Sequence, residues 1–114
     1  MSLDVYLYRE ASGAPDDDGD EMFWANITHN LGRMADEAGI YRALWRPDEN
    51  GITTAAQMID PLRAGLSRLE AEPEHFKQFN ASNGWGMYEH FVPFVRRVLE
   101  ACQEYPTALV RVSR

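Results

Sequence analysis

Residues 2–8 read "SLDVYLY". Leu3, Val5 and Leu7 alternate with Asp4, Tyr6 and Tyr8, the period of two that a strand requires because successive side chains leave opposite faces. Bulk on both faces suits a central strand. Working outward, residues 10–21, "EASGAPDDDGDE", form an acidic Gly/Pro loop, and "MFWANIT" follows as a second strand from Met22 to about Ile27. These two strands predict a hairpin with a long, mobile, charged tip. At the far end of the chain, "TALVRVSR" sets Ala108, Val110 and Val112 against Leu109, Arg111 and Ser113. One face of this third strand is more polar, which suits the edge of a sheet.

Between the second and third strands the apolar period lengthens to that of helices. Thr28 or Asn30 can cap a helix that runs to Ala38, where Gly39 supplies a left-handed stop. "IYRALW" predicts a short helical turn ended by Arg46-Pro47, and "PDENG" a turn. Met58, Ile59, Leu62, Leu66 and Leu69 share one helical face. Asp60-Pro61 interrupts that pattern and predicts a kink or two abutting helices. Pro73 opens another short helix. The longest helix is expected from about Met87 to Glu104, with Tyr88, Phe91, Val92, Val95, Val98, Leu99 and Cys102 on its apolar stripe and Pro93 bending its first turns. The order ββ–helices–β predicts an α+β fold: a small antiparallel sheet, built of the N-terminal hairpin and the C-terminal strand, with four to five helices on one face.

The bulk numbers narrow the function. The chain of 114 residues is expected to be one domain with a modest core. Its net charge of −7 is concentrated. Six acids in residues 10–21 (Glu10, Asp16, Asp17, Asp18, Asp20 and Glu21) leave the rest at −1. With no basic stripe to neutralise phosphates, nucleic acid is not an expected partner. No long apolar run or basic leader stands in the sequence, and one cysteine cannot close an internal disulfide, so a cytoplasmic protein off the membrane is expected.

Catalytic and cofactor motifs fail one by one. Aligning Gly19 with the invariant glycine of a calcium loop puts Ala14 and Ala25 where Asp and Glu are needed. His29, His75 and His90 make no metal-ligand pair by spacing, so neither a metal nor a cofactor is expected. Gly84-Trp85-Gly86 opens a GxGxxG pattern, but Glu89 occupies its last position. Cys102 lies on the apolar stripe of a helix and reads as a buried, inert thiol.

What remains is a polar and aromatic set at element junctions, where small proteins often place ligand contacts. It comprises Asn26 and His29 in "NITHN", Tyr41, Trp45 and Arg46 in "YRALWR", and Asn83, Trp85, Tyr88, Glu89 and His90 in "NGWGMYEH". A packing role accounts for part of it. Asn and Thr cap helices, glycines permit positive φ, and Trp45 and Trp85 are expected to plug the ends of the core. Convergence of the polar members would instead make a pocket floor.

The strings "SLDVYLY", "NITHNLGRMADEAGIY", "LWRP", "NGWGMYEHFVPFV" and the final "VSR" resemble a small, functionally uncharacterised family of short proteins encoded by bacteria, phages and prophages. The resemblance covers most of the chain outside the acidic loop. It implies a bacterial or phage cytoplasmic setting and hands over no catalytic residue. The expected function is that of a non-catalytic accessory protein, binding a host protein or small ligand through the Trp45/Trp85/His90 region. One alternative is a small enzyme with His29 or His90 as general base, assisted by Glu89 or Arg46. Another is a homo-oligomer pairing through the third strand's edge or the Tyr6/Tyr8 face.

Overall fold

The computed structural model describes residues 2–9 and 20–114, so the expected mobile acidic tip lies, but for its last two residues, outside the described residues. Strand β1 (Ser2–Tyr8) is central in a three-stranded sheet of order β2-β1-β3, with β2 at Glu21–Thr28 and β3 at Leu109–Ser113. Both pairings are antiparallel. Val5 faces Ala25 on one side and Val112 on the other, and Tyr6 lies between Trp24 and Arg111. The α+β expectation is met in class, strand order and helix number. Helices α1 (Gly32–Glu37), α2 (Tyr41–Trp45), α3 (Ala56–Ala71), α4 (Pro73–Lys77) and α5 (Tyr88–Glu104) follow β2 and precede β3.

Alternation in β1 sorts the two faces of the sheet. Leu3, Val5 and Leu7 are fully buried and join Ala25 and Val110 under the helices. Asp4, Tyr6 and Tyr8 occupy the opposite face, where the two tyrosine rings stack 5.8 Å apart. Trp24 shares that face and is 54% exposed. The bulk on the second face of β1 therefore lies on the outer surface of the sheet.

The outer edge of β3 is partly covered. Val110 N–H donates to Thr53 O at 2.9 Å, and Ala55 N–H donates to Ala108 O at 2.8 Å. Gln57 holds this covering segment in place: its Oε1 accepts from the amides of Thr53 and Thr54 at 2.7 and 3.0 Å. Groups that would template another strand are thus already paired.

Two features of α3 differ from expectation or extend it. The helix is one continuous element through Pro61, where two abutting helices were a possible outcome. Burial on both sides of the proline explains this. Met58, Leu62, Leu66 and Leu69 are each at least nine-tenths buried, worth about 1.5–3 kcal/mol apiece, against roughly 3 kcal/mol for an interior proline. One turn on, Gly65 lets α3 pass close to the α1–α2 junction. A Cβ there would run into Ile40 Cγ2 and lie 3.3 Å from Ala38 O. Gly65→Ala should therefore destabilise by about 1–3 kcal/mol through overpacking, although alanine is the better helix former. Equilibrium urea unfolding checks this, and a stabilised variant would show that Ile40 can yield.

On α5, Phe91, Val92, Val95, Val98, Leu99 and Cys102 are buried, as the stripe requires; Phe94 and Ala101 add to the expected set, and Tyr88, also expected there, is only partly buried. Burial pushes the Cys102 thiol up to about 12, so it is a poor nucleophile at neutral pH.

Candidate functional site

The chain from β2 into α1 bends through a 3-10 turn, His29–Leu31. Thr28 caps it, its Oγ1 accepting from Asn30 N–H at 3.3 Å. The turn sits beside the loop that leads into α5, and Gly86 makes that approach possible. Its φ is 118°, and an added Cβ would stand 2.8 Å from Asn30 Cβ. Side-chain amides then lock the loop. Asn83 Oδ1 accepts from Trp85 N–H at 3.0 Å, Asn30 Nδ2 donates to Trp85 O at 2.7 Å, and Asn80 Oδ1 accepts from Tyr88 N–H at 2.7 Å. Ala81 N–H closes the turn on Gly86 O at 3.0 Å.

Trp85 itself is 71% exposed. The expectation of a core plug is wrong here, and the bonds just described give the reason. The backbone on both sides of the indole is fixed by asparagine side chains and by close packing at Gly86. The ring is not needed as an anchor. The counterpart expectation for Trp45 holds: it is 3% exposed and stacks on Tyr41 with ring centroids 5.4 Å apart.

These elements enclose two concavities that share His29. The larger has a volume of about 1100 Å³. Its walls are Asn26 to Thr28 at the end of β2, His29 to Leu31 in the turn, Asn83 to Gly86 in the loop, His90 on α5 and Ser2 on β1. Asn26, His29, Asn83, Trp85 and His90 of the expected set therefore converge. The smaller, about 540 Å³, takes Tyr41, Trp45 and Arg46, and adds Gly32, Arg33 and Arg114. Tyr88 and Glu89 line neither. Tyr88 O–H donates to Leu69 O at 2.7 Å, which ties α5 to α3. Glu89 is exposed and stands 3.9 Å from His90.

The chemistry of His29 is fixed by Trp45. The indole Nε1–H donates to His29 Nδ1 at 2.8 Å. An indole nitrogen only donates, so Nδ1 must accept, and in the neutral ring the proton sits on Nε2. Neither nitrogen is then free to take a proton without breaking the Trp45 bond. This arrangement favours a hydrogen-bond donor over the general base considered above. His90 is exposed, with Glu89 beside it and, among the described residues, no buried carboxylate to orient it. Arg46, a possible assistant, opens onto the other concavity.

Carboxylates outside the smaller concavity brace the arginines that line it. Arg114 Nη1 donates to Trp45 O and to Asp48 Oδ1, both at 2.9 Å, and that guanidinium holds the Asp48 carboxyl below its usual range. Arg46 Nη1 donates to Glu49 Oε2 at 3.0 Å. Hydrogen bonding to Tyr41, and then to Glu49, raises the Arg46 pKa further. Arg33 and Arg114 were not read from the sequence as site residues. They come from opposite ends of the chain, and no local motif joins them.

Among the described residues no group of three His, Cys, Asp or Glu side chains is placed to hold a metal ion, and no helix is long and apolar enough to cross a membrane. No protein-family model, curated protein or solved structure matches the chain.

Proposed function

We propose that the chain is a non-catalytic binding protein that docks a protein partner on the larger concavity, with Trp85 as the aromatic anchor at its rim. The observation that carries this reading is an indole 71% exposed on a backbone locked from both sides. A large aromatic side chain on a backbone fixed in advance loses less entropy on binding than one on a loose loop, and tryptophans are enriched among the residues that dominate interface energetics. The open shape of the concavity favours a macromolecule. At about 1100 Å³ it is a broad depression open to solvent and not an enclosed pocket. It also runs, through Ser2 and Asn26, onto the outer sheet face with Tyr6, Tyr8 and exposed Trp24. Asn26 Nδ2 and Trp24 Nε1 both donate to Asp4 Oδ1, at 2.8 and 3.1 Å, so that face is held in one arrangement as well. The resemblance noted in the sequence supports a host component of a bacterial cell as that partner.

The test is Trp85→Ala. Stability should fall by about 1 kcal/mol or less, as for an exposed substitution, while capture of a specific host protein is lost. Glu104→Ala, at the far end of α5, should keep the same capture. Retained capture by Trp85→Ala would remove the anchor role. A stability loss of several kcal/mol would return Trp85 to the core.

A further inference from the structure

The smaller concavity is unlike the rest of this acidic chain. Arg33, Arg46 and Arg114 line it together with His29 and Tyr41, and among the described residues no carboxylate lines it. The chain as a whole carries −7. Asp48 and Glu49 lie outside the lining and engage Arg114 and Arg46. A bracing role for the turn after α2 therefore explains two of the three arginines. Arg33 is held differently, over the ring of Phe79, which is not a lining residue. Among the described residues Arg33 has no carboxylate within ion-pair distance, and its guanidinium lies 5.4 Å from the centroid of the Phe79 ring.

We propose that this concavity binds an oxyanion, a phosphate or carboxylate group carried on a small molecule. Each guanidinium presents five N–H donors in a planar fork; Arg114 spends three on Asp48 and the Trp45 carbonyl, and Arg46 spends donors on Glu49 and Tyr41, so both keep donors to offer. Planar forks match the paired oxygens of phosphates and carboxylates. His29 adds a donor, because the Trp45 bond to Nδ1 leaves the ring proton on Nε2. The volume, about 540 Å³, lies inside the small-molecule range. Phosphate and carboxylate share this recognition chemistry, and the carrier is separated by titration. The site shares His29 with the larger concavity, but Trp85, the anchor of the protein-docking reading, and His90 do not belong to it.

The test is a ¹H–¹⁵N NMR titration of the full chain at low salt, first with inorganic phosphate and then with acetate. The Trp45 indole N–H and the Gly32 amide should shift and saturate. Arg33→Gln should weaken the titration by about tenfold, the loss expected for a charge-assisted contact. Arg96→Gln, whose partner is Glu70 on the α3–α5 face, should leave it unchanged. Arg33 is exposed, so its replacement should keep the fold. If Arg33→Gln does not fold, Arg33→Lys, which keeps the charge and loses the fork, must still weaken the titration. Tighter phosphate than acetate assigns a phosphoryl carrier, and the reverse or equality assigns a carboxylate. Shifts that do not saturate, shifts spread over the surface, or an Arg33 variant that titrates like the wild type would overturn the proposal.

Discussion

Trp45→Ala should destabilise the protein by about 3–5 kcal/mol, the range for truncating a buried tryptophan. Small domains carry only about 5–15 kcal/mol in total, so this is a large share. Three losses combine. The buried ring leaves a cavity that α2 cannot close without moving, because Arg114 holds the Trp45 carbonyl at 2.9 Å. Tyr41 loses the ring it stacks on. His29 loses the donor that fixes its tautomer. Trp45→Phe separates these effects. It keeps most of the apolar volume and removes the indole N–H, so it should lose about 1–3 kcal/mol, the range for breaking one partner from a hydrogen bond. Chemical denaturation of both variants, with ¹⁵N spectra of the His29 ring, checks the division. Equal losses would mean that the hydrogen bond, rather than packing, dominates at this position.

Gly86→Val should lose about 2–6 kcal/mol. Overpacking contributes about 1–3 kcal/mol and a strained backbone about 1–3. The Cβ would meet Asn30 Cβ at 2.8 Å and the Asn30 carbonyl carbon at 3.4 Å, and φ is 118°. Asn30 cannot retreat cheaply, because its side chain holds Trp85 O and its amide is capped by Thr28. Gly84 makes the comparison. Its φ is 80°, but nothing lies within 4 Å of an added Cβ, so Gly84→Val should suffer only the left-handed penalty, about 1–2 kcal/mol or somewhat more for a β-branched residue. Thermal or urea unfolding should rank Gly86→Val well below Gly84→Val. The opposite order would mean that the loop is anchored at its tip instead of at its contact with the turn.

The elements that could be read locally were read well. The Leu3/Val5/Leu7 alternation identifies the central strand, and the apolar stripe of α5 needs only the 3.6-residue period. Contacts between distant segments were the illegible part. Trp85 looked unanchored because the side chain that fixes its carbonyl, Asn30, lies 55 residues away. Pro61 looked like a break because a proline signal is local, whereas the burial that holds α3 together is tertiary. The polar–aromatic residues could be named from the sequence, but neither their division between two concavities nor the exclusion of Tyr88 and Glu89 could. That division depends on the Gly86 approach to Asn30 and on Arg114 reaching back to Trp45 from beyond β3.

The claim on which the functional account rests is that Trp85 is displayed to solvent in the free protein and covered in the complex. Acrylamide quenching of tryptophan fluorescence, taken as the difference between wild type and Trp85→Phe, isolates this one indole. The Trp85 component should be freely quenched in the isolated protein and protected once the captured partner is bound. A component already shielded in the free protein, or quenched equally well in the complex, would contradict the account.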